Sequence, residues 1–396
     1  MTTFGDEMRR LMAEQGVSLR GLAKRVHYDV KRVHYDVGYL SKVANGRKPP
    51  SVELATALDA ALGADGALAA LAVAKERLPG TPLDPDAEER LRKAVQQPRR
   101  VDTAVIDALA DTLAAQRRLE DAIGSVPLVE PITTHLAVIE DLVLDARGPI
   151  RAKVLDVAAQ WAQFCGWLHA STGTRSTART WYDRAAEWAA EADNADMVAT
   201  AWSMKGHLAW MTGRVGPMIG LSQAAQRPAR RVSPGVRALA AQQEARGHAL
   251  AGDGDATERK LDEAQALAAR AAEHPEDEPA WIYFYSPDFL TMQRGLAYRY
   301  LGRHAQAVEL LTTGLAGLPE ELRRAEWAAW YLYQLAVAHE QAGEPEQACA
   351  VAAEAADIAR QTRAIRLRTQ LQRLHARLAA TWPTLPAVTD LGERLA

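Results

Sequence analysis

The sequence predicts an all-α protein, with a small helical domain at its N-terminus and a long array of paired helices behind it. Alanine dominates the apolar residues, which make up 48% of the chain, whereas Phe occurs only 4 times. This composition favours helix over strand. Small residues also recur at positions 166, 206, 245, 295 and 336, at intervals of 40, 39, 50 and 41 residues. Such regular recurrence indicates repeated structural units.

The first 75 residues contain the signals of four short helices. Apolar residues from Phe4 to Met12 form one helix stripe, and Gly16 follows as a stop signal. "SLRGLAKRV" opens a second helix with Ser18 as its N-cap. "DVGYLSKVANGRKPP" predicts a third helix over residues 36–44, and "SVELATALDAALGADG" predicts a fourth.

These four segments resemble the helix-turn-helix domain of the Cro/repressor-like (Xre) family of transcriptional regulators. The resemblance covers residues 4–74 and rests on S-L-x-x-L-A-x-x-V, D-V-x-Y-L-S-K-V, N-G-x-x-x-P and L-A-x-A-L. It implies that helix 36–44 is the recognition helix, whose first turns lie in the major groove. The residues that it places near base edges are Val37, Gly38, Tyr39, Ser41 and Lys42. Those that it places at phosphates are Ser18, Arg20, Asn45, Arg47 and Lys48.

A tandem duplication interrupts this pattern between the second and third helices. Lys24–Val30 reads KRVHYDV, and Lys31–Val37 repeats it without a difference. One copy would supply the whole connection, so seven residues are surplus. Sliding either helix into the surplus would bury Asp29 or Asp36 without a partner, which costs several kcal/mol. Lengthening the connection costs only about 1 kcal/mol.

We therefore expect Val26 and Val37 to keep their places in the second and third helices. Residues 27–35 would form either a bulge or a projecting extension of the second helix. Lys31 and Arg32 would then either add phosphate contacts or collide with the DNA, and the sequence allows both outcomes.

The charge distribution agrees with a nucleic-acid contact near the N-terminus. The chain has a net charge of −3, yet residues 1–75 carry 11 Lys and Arg against 8 Asp and Glu. The remainder carries 36 against 42. A basic region on an acidic chain indicates a surface for nucleic acid.

A cluster of prolines marks the predicted domain boundary. Pro79, Gly80, Pro82 and Pro85 fall within one short stretch, which is typical of a linker. We predict a DNA-binding domain over residues 1–75, a linker over 76–100 and a repeat domain over 101–396.

The repeat domain resembles the tetratricopeptide repeat, in which two antiparallel helices form one unit. The clearest unit, "GLAYRYLGRHAQAVELLTTGLAGLP", has signature residues at Gly295, Tyr298, Leu301, Gly302, Ala307, Leu311, Gly314 and Pro319. Small residues let the helices approach closely, and the proline ends the second helix. The resemblance implies an α-solenoid of degenerate repeats. Residues 101–146 would supply one or two leading helices, and residues 362–381 a capping helix.

The first helices of such a solenoid line a concave groove. The repeat offsets place twelve side chains in it: Gln160, Gln163, Trp167, Ser203, His207, Trp210, Gln242, Arg246, Met292, Arg299, Tyr333 and Glu340. Aromatic, amide and Arg side chains together suit an extended peptide. Ordinary packing competes as an explanation for each one singly. We interpret Trp181, Trp188 and Trp327 as core between repeats.

No pattern in the sequence indicates catalysis, a cofactor or a metal. G-x-x-x-x-G-K-[ST], H-E-x-x-H, G-x-S-x-G and C-x-x-C are all missing. "GDGDATE" at residues 252–258 lacks the length of a calcium loop and lies at a predicted helix turn. The N-terminus has no secretory signal, and no apolar run reaches the ~20 residues needed to cross a bilayer. We therefore expect a cytoplasmic, non-enzymatic protein.

The sequence hypothesis is a homodimeric transcriptional regulator that binds operator DNA and senses a peptide or small signal through its repeats. The combination resembles helix-turn-helix plus tetratricopeptide regulators of the kind common in actinobacteria. The alternative is an adaptor whose DNA-binding domain the duplication has impaired.

Overall fold

The protein, represented by a computed structural model, is described at residues 4–23, 37–45, 50, 52–64, 66–68, 103–227 and 231–396. At residues 52, 53 and 321 only the backbone is described. The chain divides into two compact units, Met1–Pro79 and Gly80–Ala396. Every element assigned within the described ranges is helical, as the all-α prediction requires.

The first unit is built from short helices around one apolar cluster. Its described helices are α1 (Phe4–Glu14), α2 (residues 19–23), α3 (Val37–Ala44) and α4 (Val52–Ala61). Met8, Leu22, Leu40 and Leu58 are fully buried where the four helices meet. The predicted stop at Gly16 is confirmed by its left-handed φ of +63°. The predicted cap is confirmed as well, because Ser18 Oγ accepts a hydrogen bond from Gly21 N at 3.2 Å.

The third helix begins at the last residue of the second copy of the duplicated heptad. α3 starts at Val37, and Leu40 and Val43 are 0% and 1% exposed. The prediction that Val37 keeps its place is therefore confirmed. α1 packs closely on the end of α3, because a Cβ at Gly5 would lie 2.6 Å from the Ala44 carbonyl oxygen. The predictions for Val26, the Asp36 cap, the residue 27–35 bulge and the linker at 76–100 lie outside the described residues.

The second unit is an array of helices in which each packs against the next. Its longer helices are α5 (Thr103–Ile123), α6 (Val129–Asp145), α7 (Pro149–Ser171), α8 (Arg175–Glu191), α9 (Ala195–Met211), α10 (Val215–Gln226), α11 (Pro234–Leu250), α12 (Gly254–Glu273), α13 (Pro287–Tyr300), α14 (His304–Gly317), α15 (Glu326–Ala342), α16 (Pro345–Gln361), α17 (Ile365–Thr381) and α18 (Pro386–Leu395). The two leading helices α5 and α6 cover the predicted range. The solenoid of helix pairs is confirmed.

Small residues stand where the two helices of a pair touch. A Cβ at Gly166 of α7 would lie 2.5 Å from the Tyr182 ring of α8. A Cβ at Gly295 of α13 would lie 2.9 Å from Leu311 of α14. The recurring small positions thus set the distance between paired helices, as the repeat signature requires.

The long interval of 50 residues holds an insertion between α12 and α13. It contains two short 3₁₀ turns, Pro275–Asp277 and Ala280–Ile282, and then the sequence that leads into Ser286, the N-cap of α13. The insertion carries "WIYFY" at residues 281–285. Trp281 and Ile282 are buried and belong to the same core cluster as the first repeats.

The end of the array differs from the predicted single capping helix. α17 matches the prediction, but α18 follows it and packs on both α16 and α17. Its Val388, Leu391 and Leu395 are buried. The apolar face of α17 is therefore covered by a further helix, whose start at Pro386 is a normal first-turn signal.

The array coils until its first helix meets its fifth pair. Ser125 N, just after α5, donates a hydrogen bond of 3.3 Å to Glu326 Oε2 on α15. Trp327 Nε1 donates one of 3.0 Å to Asp121 Oδ1 on α5. These contacts join residues about 200 positions apart and enclose a space inside the superhelix. None of the described helices combines the length and the apolar character that crossing a bilayer demands.

Candidate functional site

The predicted DNA-reading face of α3 is exposed within the first unit. Val37 is 37% exposed, and Gly38 and Lys42 are also exposed. Tyr39 and Ser41 are half-buried, with Tyr39 packed against the core. Leu40 and Val43 turn the opposite side of the helix inward. The helix thus presents an exposed face with one lysine while its other side packs in the core, which is the arrangement that major-groove reading needs.

The predicted phosphate contacts flank this face in the sequence. Ser18, Arg20 and Asn45 are exposed. Asn45 Nδ2 donates a hydrogen bond of 2.8 Å to the Ser41 carbonyl oxygen, which closes the last turn of α3. Arg47 and Lys48 lie outside the described residues. DNA contact by these residues stays a prediction.

The second unit encloses a cavity of about 190 Å³ inside the superhelix. Six of the twelve predicted groove residues line it: Gln163, Trp167, His207, Trp210, Gln242 and Arg246. They come from the first helices of three successive pairs, α7, α9 and α11. For these pairs the offsets of the repeat signature identified the inner face.

The other six predicted residues lie away from the cavity. Ser203 is fully buried and accepts a hydrogen bond from Gln243 Nε2, while Met292 is fully buried in the core of its own pair. Gln160 bonds Asp156, and Arg299 lies over the Tyr300 ring. The remaining two are tied to α17: Tyr333 bonds Gln370, and Glu340 pairs with Arg377.

Tyr333 and Glu340 miss the cavity because the array coils. Their helix, α15, contacts α17 rather than an open groove, so these two predicted inner positions become helix contacts. Trp327 shows the opposite change: predicted as core, it lines the cavity and bonds Asp121. Trp188 is buried in the core and Trp181 packs against it, as predicted.

One part of the cavity wall carries three carboxyl groups, and burial raises the pKa of each. Glu120 Oε1 accepts hydrogen bonds from Ser125 Oγ at 2.5 Å and Trp167 Nε1 at 3.2 Å. Burial raises the pKa of Glu120 to about 8, and the neighbouring carboxyls Asp121 and Glu326 add to the effect. Burial also raises the pKa of Asp121 and of Glu326. This part of the wall therefore offers hydroxyl donors as well as acceptors.

Another part of the cavity wall is basic and aromatic. The guanidinium carbon of Arg246 lies 4.4 Å from the centre of the Trp210 ring, and that of Arg366 lies 5.7 Å from it. Arg366 also lies 4.6 Å from the Trp330 ring. Burial lowers the pKa of Arg366 to about 10. The charges of Arg175 and Arg246 add to the effect, whereas Tyr300 and Glu326 oppose it. Both guanidinium groups stay charged at neutral pH.

A buried histidine lies between the rings of Trp167 and Trp210. The His207 ring lies 5.9 Å from Trp167 and 4.9 Å from Trp210, centre to centre. Burial lowers the pKa of His207 well below its usual value, and the charges of Arg246 and Arg366 push it further down. His207 is therefore neutral at pH 7, and it adds no positive charge to the basic part of the cavity wall.

Sequence reasoning missed the part of the cavity wall that the insertion supplies. Trp281, Tyr283 and Phe284 line the cavity, and Tyr283 Oη donates a hydrogen bond of 2.5 Å to Asp121 Oδ2. Trp281 Nε1 donates one of 3.1 Å to Thr200 Oγ1. Two signals pointed here: the 50-residue interval and the aromatic run "WIYFY" in a chain with few aromatic residues.

Two places resemble cation sites. Asp253 of the "GDGDATE" segment caps α12, because its Oδ1 accepts a hydrogen bond of 2.9 Å from Ala256 N. His274, Glu276 and Asp277 of the insertion bring ligand atoms within 4.8 Å of one another, but all three are exposed. Exposed acidic groups often cluster without an ion, so this geometry alone assigns no metal.

Comparison with known proteins gives a match for most of the first unit and a structural similarity for the chain as a whole. Residues 3–72 match the family model of a helix-turn-helix domain. No curated protein matches the chain. Among solved structures, the chain is similar to one in the crystal structure of the APC/C hetero-tetramer Cut9–Hcn1, with a TM-score of 0.38 and 14% identity. That similarity covers 90% of this chain and 69% of the other.

Proposed function

We propose that this chain, whose residues 3–72 match a helix-turn-helix domain, is a cytoplasmic transcriptional regulator. In the proposed mechanism, α3 binds operator DNA in the major groove, and the repeat unit binds a peptide or small signal that controls this binding. The observation that carries the proposal is the exposed face of α3, with Val37, Gly38 and Lys42 outward and Leu40 and Val43 seated in the core. The proposal assigns no catalytic step to the chain.

The enclosed cavity supports a sensing role for the repeat unit. It gathers aromatic, amide and charged side chains from residues 117–367, so an occupant contacts many helices at once. Such an occupant controls DNA binding only if it binds the DNA-competent and incompetent forms with different affinity. We expect two copies to act together, because one short helix reads few base pairs and two half-sites multiply the affinity.

The salt dependence of DNA binding tests the regulator proposal. The full chain and a variant without Lys31–Val37 would be titrated with random duplex DNA at several salt concentrations. A regulator requires that at least one of them binds, with affinity that falls steeply as salt rises, because bound lysines and arginines release counterions. The variant also reveals whether the duplicated heptad helps or obstructs binding.

A second candidate function is that of an adaptor that works through protein contacts of the repeat unit. The duplicated heptad favours the adaptor function, because the surplus residues directly precede the proposed recognition helix in the sequence. If neither chain binds DNA, the regulator proposal fails and the adaptor remains. If both bind with the same steep salt dependence, the duplication does not impair the domain and the adaptor loses its support.

A further inference from the structure

We propose that the cavity of the repeat unit binds a small organic anion with a planar body, held at its charged end by Arg246 and Arg366. This inference deepens the proposed sensing role, and it names a different kind of occupant from an extended peptide. It rests on the chemistry of the basic part of the cavity, the aromatic walls and the size of the space.

Arg246 and Arg366 have no ion-pair partner among the described residues, although Glu326 lies close enough to raise the pKa of Arg366. Arg246 is 3% exposed, yet within the described ranges no carboxylate oxygen lies within the 4.0 Å of an ion pair for either Arg246 or Arg366. The contacts of Arg246 Nη2 are long, 3.4 Å to Gln243 Oε1 and 3.4 Å to His207 Nδ1. Buried charges in folded proteins are normally paired. An anion would supply the missing partner.

Two buried polar atoms of the residues that line the cavity have no hydrogen-bond partner among the described residues. Nε of Arg246 has no hydrogen-bond acceptor, and Oε1 of Gln242 has no donor, among the residues that the structure describes. Both side chains line the cavity, and they stand one helical turn apart on α11. An acceptor oxygen near Arg246 and a polar hydrogen near Gln242 would satisfy atoms that are otherwise costly to bury.

The shape and size of the cavity also suit a small planar anion. Trp210 and Trp330 meet edge to face with ring centres 5.8 Å apart, and Arg366 lies over both rings. Flat apolar walls beside guanidinium groups suit a planar group that ends in a carboxylate or phosphate. A cavity of ~150 Å³ is known to hold benzene. The 190 Å³ present here therefore accommodates one ring with its anionic substituent.

The two arginines come from distant parts of the array, so the anion would act as a bridge. Arg246 lies on α11, whereas Arg366 lies in the first turn of α17. An occupant between them removes the repulsion of two like charges and fixes α17 against the middle of the superhelix. Binding should therefore raise the melting temperature of the repeat unit.

The test uses the full chain and three probes in calorimetric titrations: benzoate, phenyl phosphate and benzamide. We expect at least one of the two anions to bind, and benzamide, the neutral counterpart of benzoate, to bind at least about tenfold more weakly. R246Q and R366Q should each weaken anion binding by about tenfold to a hundredfold. R299Q is the matched control, because Arg299 also lies 4.4 Å from an aromatic ring but outside the cavity.

Two results would overturn the proposal: no difference between the anions and benzamide, or equal losses in R366Q and R299Q. We expect R366Q to fold normally, because Arg366 is only half-buried and lies in the first turn of its helix. DNA binding is measured separately on the same proteins. If the anions do not bind but DNA does, only this inference fails. If the anions bind but DNA does not, only the regulator proposal fails.

Discussion

Glu120 is a carboxyl group that keeps its proton close to neutral pH. It is 6% exposed and lies beside Asp121 and Glu326, whose negative charges would repel its own. The hydrogen bonds from Ser125 and Trp167 to its oxygen favour the charged form but are outweighed by burial. At the residue scale, the cavity thus resists the ionisation of Glu120 and holds the guanidinium groups of Arg246 and Arg366 without an ion pair among the described residues.

The stability of the repeat unit should fall as pH rises from 7 to 8, because of Glu120. The folded state holds the Glu120 proton up to about pH 8, whereas the unfolded chain has already released it above about pH 5. The folded state therefore binds more protons in this range, and rising pH favours unfolding. His207, whose folded pKa is lowered, affects stability only below its ordinary pKa of 6.5.

Urea unfolding followed by tryptophan fluorescence measures this effect, since all 10 tryptophans follow residue 160. E120Q keeps the oxygen acceptor and removes the titration, so its stability should change less between pH 7 and 8 than that of the wild type. If the stability of E120Q fell with pH as steeply as that of the wild type, a group other than Glu120 would be responsible for the pH dependence.

At the scale of the element, small residues determine how closely the paired helices pack. Gly166 and Gly295 stood out in the sequence because the repeat signature requires small side chains there, and the structure gives them the predicted contacts. The helix pairs were predictable because their periodicity is local. α18 and the residue 275–286 insertion were not, because neither follows the repeat offsets. Tyr333 and Glu340 were wrongly placed in the groove because the inner face depends on how the whole array coils.

G166A should destabilise the repeat unit by about 1–3 kcal/mol. Its new methyl group would lie 2.5 Å from the Tyr182 ring, which is fully buried and has little freedom to move. G220A is the matched control, since Gly220 lies inside α10 and a Cβ there would meet no described atom within 4 Å. That change should be neutral or stabilising by up to ~1 kcal/mol, because alanine favours helix. Equal shifts of the urea midpoint in G166A and G220A would contradict this role of Gly166 in helix packing.

At the scale of the whole molecule, the superhelix of the second unit is closed by polar contacts rather than by apolar packing alone. Asp121 on α5 accepts hydrogen bonds from Tyr283 of the insertion and from Trp327 of α15. One carboxyl group therefore joins three segments, of which the insertion and α15 lie more than 160 positions from α5 in sequence. Such long-range contacts form late relative to the local helix pairs, and their loss need not disturb those pairs.

D121A should loosen the closure and leave the outer pairs intact. Hydrogen exchange is expected to rise in α5, in residues 275–286 and in the first turn of α15, while α12 and α16 keep the protection of the wild type. D121N is the control, because its amide oxygen still accepts from Trp327 and its nitrogen still reaches the Tyr283 oxygen. Uniformly faster exchange throughout the unit in D121A would mean that the residue supports the whole fold rather than the closure.

The central claim is that α3, seated by Leu40 and Val43 and starting at Val37, reads DNA. Its most direct test is selection of binding sites from a random duplex library by the full chain and by the variant without Lys31–Val37, followed by titration of the selected site. We predict that at least one chain enriches a defined sequence and that K42A weakens its binding by more than about tenfold. K153A, an exposed lysine of the other unit, should bind as the wild type does. No enriched sequence with either chain, or equal binding by K42A and K153A, would contradict the account.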